Sequence, residues 1–198
     1  MNITAYHGSS TIFPFEEFDA AHVGSGIVSW SGRSRGFFFT SDRGNARSYT
    51  ENFVAKVSIS NVEPNPYPET HPPLIMGKAQ EDHKIYFMED VVDGQYPSDI
   101  TVVPESMLGH IRILAWEFVG DEGTLFEEYD SWFDRDGEGE ISYDDIADTL
   151  DMMDLDIDDL LEVPVFRKYY EQRVEGHVAS TPQASLTTAA KLLNGLFQ

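Results

Sequence analysis

The chain has 198 residues, no cysteine and a formal charge of −22 at pH 7, with a pI near 4.3. Absence of cysteine excludes disulfides, thiolate metal sites and cysteine nucleophiles, and the acidic balance opposes binding to nucleic acid through its phosphates. With 41% apolar and 13% aromatic residues, the sequence can build the packed core of one domain, or of one domain with a small appendage.

The opening residues Met1 to Tyr6 carry neither a basic region nor a long apolar run, so no cleaved export signal, no membrane and a cytoplasmic location are expected. Short β-patterned runs follow: Ile3 to Tyr6, Gly36 to Thr40, Phe53 to Ile59, Lys84 to Met88, Ile100 to Val103 and Ile111 to Val119. Asn61 to Pro73 holds five prolines and is predicted to be an extended connection. After Gly120-Asp121-Glu122-Gly123 the period becomes helical. Leu125, Phe126, Tyr129, Trp132 and Phe133 recur at steps of three and four, and Ile146, Leu150, Met153, Ile157, Leu160 and Leu161 continue the pattern. Pro164 and Pro182 mark breaks, and Leu186 to Phe197 is predicted to be a last helix with Ser185 as its N-cap. Charge divides unevenly as well: residues 1–119 carry fifteen acids against eight Lys and Arg, residues 120–198 twenty against five. A domain over 1–119 and an acidic helical region over 120–198 are therefore expected.

The most informative stretch is Ala5-Tyr6-His7-Gly8-Ser9-Ser10, with Arg35-Gly36-Phe37-Phe38-Phe39-Thr40-Ser41-Asp42 and Ala46-Arg47-Ser48-Tyr49 downstream. An apolar strand ending in His-Gly leaves an imidazole at its end and a backbone that a flat ring can approach. Taken singly, such a histidine or a Phe triplet is ordinary surface or core. Jointly these residues resemble the first two motifs of the ADP-ribosyltransferase superfamily, in its histidine-tyrosine branch with diphtheria toxin and the poly-ADP-ribose polymerases. In that branch a His-Gly-Ser strand end precedes a Gly-x-Tyr-Phe strand and a second tyrosine thirteen residues beyond the glycine, the separation of Gly36 and Tyr49 here.

The resemblance implies an α+β fold of two packed antiparallel sheets and a pocket for NAD as substrate. It implies that His7 holds the ribose hydroxyls, that the Gly8 backbone clasps the nicotinamide carboxamide, with Ser9 also binding the cofactor, and that Tyr49 and Phe38 sandwich the ring. Two aromatic faces suit a pyridinium cation, and the site must then support an oxocarbenium-like carbon. Phe38 departs from the usual tyrosine, so stacking is kept and a hydroxyl lost. Arg43, among Arg33, Arg35, Arg43 and Arg47, is a candidate for the pyrophosphate; solvated arginines are the alternative. The third motif, a late-strand glutamate, is missing at an obvious place. Asp99, opening Asp99 to Pro104, is the candidate third catalytic residue, with Glu105 and Asp90 as alternatives, and mono-transfer rather than polymer formation is expected. Compact members occur among phage-encoded effectors and bacterial toxins, which implies an acceptor in host machinery, protein rather than nucleic acid. The remaining histidines, His22, His71, His83, His110 and His177, show no metal spacing.

Asp134 to Asp145 matches a calcium loop between helices. It supplies Asp134, Asp136 and Glu138 at positions one, three and five, Gly139 at six, the Glu140 carbonyl at seven and Asp145 at twelve. The glutamate at five and the short Asp145 at twelve point to weak calcium or magnesium binding. Two other functions stay open: an acidic binding protein that mimics nucleic acid or docks on a basic partner, and a calcium-responsive module.

Overall fold

The computed structural model describes residues 1–20, 35–68, 71–93, 96–134, 137 and 139–175. Contacts divide the chain into two compact units, Met1–Leu125 and Phe126–Gln198.

In the first unit the β-patterned runs form strands β1 (Ile3–Ser9), β2 (Gly36–Thr40), β3 (Phe53–Ile59), β4 (Val62–Pro64), β5 (Ile85–Asp93), β6 (Tyr96–Pro104) and β7 (Ile111–Phe118). Two helices join them, α1 (Arg43–Arg47) and α2 (Pro72–Asp82). The segment expected to be a plain extended connection thus contains β4 and opens α2. Paired prolines at the start of that helix suit the first turn, whose N–H groups have no intrahelical acceptor.

The strands join in one mixed sheet of seven, ordered β4-β5-β6-β2-β1-β3-β7. Only β4 and β5 run parallel. The fold class is α+β, but the strands form one continuous sheet rather than two packed antiparallel sheets. Curvature follows from the connections. Strands β3 and β4 lie five places apart, roughly 24 Å in a flat sheet at about 4.8 Å per strand, yet Ile59 and Val62 are three residues apart and span at most roughly 10 Å. The sheet must curl. Met1 closes it further by exchanging two backbone bonds with Val62, at 2.7 and 3.0 Å.

Strand alternation then divides the side chains between two faces. The concave face buries Ala5, Phe37, Phe39, Val57, Ile59, Val62, Ile85 and Val103 with Phe18. On the outer face Tyr86, Met88, Ile100 and Val102 pack under Ile75, Met76 and Ala79 of α2, with Phe38 against them. Burying each of the larger aliphatic side chains stabilises by about 1.5–3 kcal/mol. Gly36 lets α2 approach this closely, since a Cβ there would lie 2.6 Å from the Met76 sulfur.

The second unit is helical. Helix α3 (Glu122–Phe133) leads into it, followed by α4 (Tyr143–Asp151), α5 (Ile157–Leu161) and α6 (Pro164–Tyr170). Tyr129 and Phe133 pack with Phe166 and Tyr169, the Tyr129 and Tyr169 rings 4.9 Å apart. Asp130 accepts the Tyr169 hydroxyl at 3.0 Å and pairs with Arg173. Trp132, expected on the apolar stripe, is instead 46% exposed; Leu125, Tyr129 and Phe133 form the buried row at four-residue spacing. The last expected helix, Leu186 to Phe197, lies outside the described residues. Among the described residues no helix is long and apolar enough to cross a membrane.

Candidate functional site

The two sides of β1 are bonded unequally. Against β3 it pairs along its whole length, from Ile3 with Ile59 to Ser9 with Phe53. Against β2 only one residue pair is formed, Tyr6 with Thr40. Beyond Tyr6 no further ladder pair is formed, so at this seam the two groups, β4-β5-β6-β2 and β1-β3-β7, share a single pair. His7 sits where the ladder stops. Its Nδ1 lies 2.9 Å from the Phe38 carbonyl oxygen, which can only accept, so Nδ1–H donates. In the neutral ring Nε2 then carries the lone pair and makes no hydrogen bond among the described residues. The imidazole lies on the concave face among Phe18, Phe37 and Phe39, with ring centroids 5.3, 5.6 and 5.4 Å away. Burial lowers its pKa, and the bond to Phe38 opposes this only in part.

Gly8 faces the other way. A Cβ there would lie 2.3 Å from the Ala46 carbonyl oxygen, so only glycine allows the strand end to lie against the turn that carries Tyr49. Ser9 is tied in beside it: its carbonyl accepts the Thr50 hydroxyl. Helix α1 is set by Asp42, whose side chain caps it by accepting from Asn45 N at 2.6 Å, and Tyr49 N bonds back to the Ala46 carbonyl at 3.2 Å. The Tyr49 hydroxyl is buried.

The structure therefore brings the His7-Gly8-Ser9 strand end, the Phe38 backbone and the turn before Tyr49 into one neighbourhood. It does not align all the side chains. Phe38 lies on the outer face with Gly8, whereas the His7 ring lies on the concave face. Arg43 is engaged elsewhere: its Nε bonds a Glu117 carboxylate oxygen at 2.6 Å and its Nη2 bonds the other, which holds the Glu117 pKa below the usual carboxylate range. Asp99 shares the concave face with His7 by alternation, but β2 lies between them. Its carboxylate accepts from Asp90 N at 3.2 Å, at a bulge where Asp90 has φ 52°. Asp90 is exposed at that bulge, and Glu105 stands at the far end of β2, its N–H bonded to the Arg35 carbonyl.

Sequence reasoning missed Phe18, Thr50, Asn45, Ser98 and Glu117. Only Asn45 left a trace, three residues after the capping Asp42. The others meet their partners across long separations, such as the 53 residues between Asn45 and Ser98.

In the helical unit, Asp134, Gly137, Gly139, Glu140 and Asp145 of the calcium-like loop are described; Asp136 and Glu138 lie outside the described residues. Gly137 and Gly139 take φ of 72° and 77°, and Asp134 accepts from Gly139 N at 3.2 Å. Ile141 is buried. One Asp145 oxygen accepts the Ser142 hydroxyl at 2.6 Å and its N–H at 2.8 Å, a capping box that lowers the Asp145 pKa through the hydroxyl first and the N–H second. Among the described residues no group of three His, Asp or Glu is placed to hold a metal.

No family model matches the chain, and no curated protein or solved structure does so either.

Proposed function

We propose that the chain is a mono-ADP-ribosyltransferase that uses NAD as substrate, and that its site lies where β1 and β2 part. The observation that carries this reading is the single Tyr6–Thr40 pair. Among the described residues it leaves the His7-Gly8-Ser9 backbone edge without strand partners toward β2, beside a neutral imidazole of fixed tautomer and beside the turn that bears Tyr49. A carboxamide could bond that backbone edge, with Phe38 on the outer face as one wall for the nicotinamide ring and Tyr49, as the resemblance implies, as the other. The His7 Nε2 lone pair would accept a ribose hydroxyl. In the reaction the bond between C1′ and the nicotinamide nitrogen breaks, its electron pair leaves with nicotinamide, and C1′ gains oxocarbenium character. An oxygen or nitrogen nucleophile of the acceptor then bonds C1′ and gives up its proton. The acceptor we propose is a host protein, met in the cytoplasm, as for a phage or bacterial effector. Asp99 remains the candidate third residue in this proposal only if its bond to Asp90 is exchanged when NAD binds.

The test is release of nicotinamide from labelled NAD in the presence of a bacterial extract. Wild-type protein should release it and label a discrete acceptor. Absence of both release and binding would remove the transferase reading and favour the acidic docking function.

A second activity is favoured by the loop in the helical unit: weak binding of calcium or magnesium by Asp134, Asp136, Glu138, the Glu140 carbonyl and Asp145. Its support is the bond from Gly139 N to Asp134 and the second oxygen of Asp145, which accepts no hydrogen bond among the described residues and suits a ligand that binds through one oxygen. Calcium should raise the melting temperature, and Asp134→Ala should remove the shift. A flat calorimetric titration would exclude the site.

A further inference from the structure

At the seam between β1 and β2 the two strand groups share one ladder pair, and α1 fastens them there from both sides. Toward the β4-β5-β6-β2 group, the Asn45 side-chain amide donates to Ser98 Oγ at 2.8 Å. Thr40 Oγ1 donates to the same oxygen at 3.0 Å and itself accepts from Asp42 N at 3.1 Å. Toward the β1-β3-β7 group, Ala46 lies against Gly8, Thr50 bonds the Ser9 carbonyl, Arg43 pairs with Glu117, and Arg47 reaches the Val119 carbonyl at 3.3 Å.

The fastenings differ in kind. Those to β1 and β7 are several and partly redundant. Toward β2 and β6, beside the two-residue link from Thr40 and the Ser41 N bond to the Asp99 carbonyl at 3.0 Å, the side-chain fastening converges on one buried hydroxyl, Ser98, which is 7% exposed. Asn45 is the member of that network carried by α1 itself, and it stands four residues before Tyr49.

We propose that Asn45, through Ser98, is a positioning residue that fixes the width of the gap between β1 and β2 and thereby the place of Tyr49 relative to Phe38. The positioning role rests on the transferase reading; the fastening itself can be measured without NAD. Ser98 gives the proposal a chemical signature. Its oxygen accepts from both Asn45 and Thr40, and no acceptor for its own proton is found among the described residues. In Asn45→Asp that proton can be donated to the new carboxylate, so the bond is kept with its direction reversed. Asn45→Ala has no such recourse.

Amide hydrogen exchange on the full chain reads the fastening directly. In Asn45→Ala the amides of Phe37 to Thr40 and of His7 to Ser9 should exchange roughly five-fold faster, the effect of losing one intramolecular hydrogen bond in a local opening. Asn45→Asp should restore the wild-type rate. Ser98→Ala should reproduce the acceleration, and Ser48→Ala, which removes a bond made only within the α1 turn, should not. With NAD as the probe, Asn45→Ala should raise KM by a comparable factor with kcat little changed, because the wall must then be ordered as NAD binds. Unaltered exchange and KM in Asn45→Ala, in a protein whose wild type consumes NAD, would overturn the positioning role and leave the transferase reading intact. Faster exchange in Asn45→Ala, in a protein whose wild type releases no nicotinamide, would overturn the transferase reading and the positioning role that depends on it.

Discussion

The two sides of β1 differ in how completely its backbone is paired. Along β3 all seven residues are paired and the backbone groups facing that strand are satisfied. Along β2 one pair forms, and a side chain, His7, takes the place of a ladder donor at the Phe38 carbonyl. The fully paired side resists change and offers nothing to a ligand. The sparsely paired side leaves backbone groups able to bond one, and the residues gathered there are those whose spacing resembles an NAD site.

This contrast can be broken most severely at Gly8. Gly8→Val should destabilise the protein by about 3 kcal/mol in urea titration, because a backbone carbonyl, Ala46 O, stands where the side chain would go. A stability equal to wild type would show that the strand end and α1 are not in contact. The contrast sharpens at His7, where structural and chemical roles separate. His7→Phe keeps an aromatic ring but removes the Nδ1–H bond to the Phe38 carbonyl, and should cost about 1–3 kcal/mol. His7→Asn can still donate from its amide at the position of Nδ1 while lacking Nε2, so it should retain more stability than His7→Phe yet lose activity.

Tyr49 probes the same gap more gently. Tyr49→Ala should raise KM for NAD roughly 10-fold by removing one aromatic face from a cationic ring, and Tyr49→Phe should restore most of it; equal effects of the two variants would assign the role to the hydroxyl instead. The smallest effect is on pH dependence. Burial holds the His7 pKa below its ordinary 6.5, so as pH falls through that value the unfolded chain takes up a proton that the folded chain refuses. Stability is full above this range and declines below it, and the decline should be shallower in His7→Asn. Identical slopes in the two proteins would mean that the folded imidazole is not protected.

Much of the first unit was legible in the sequence because strands have a period of two and few ways to satisfy it. Gly36–Thr40 and Phe53–Ile59 form as expected, and Ile3–Ser9 extends its predicted run by three residues. The α2 helix was not legible: Leu74 on it is 60% exposed while Ile75 and Met76 are buried, so its apolar stripe is blurred, and the prolines that open it resemble a linker. The candidate site divides along the same line. His7, Gly8 and Tyr49 are named by local motifs, whereas Ser98 and Glu117 become neighbours of α1 only when the sheet curls. Which face His7 occupies also depended on pairing register, since a shift of one residue would reverse it. In the acidic half, Ile146, Leu150, Ile157 and Leu160 are buried as their spacing predicted. Trp132 departs from its stripe because a row at four-residue spacing already fills the buried side of α3.

Nicotinamide release by wild-type protein and by His7→Asn, measured side by side with labelled NAD and an acceptor extract, tests the site most directly. The account predicts release by wild type and a fall of roughly 100-fold or more in His7→Asn, the scale of a lost transition-state contact, with the folded state retained by circular dichroism. Equal release by both proteins, or none by wild type, would contradict it.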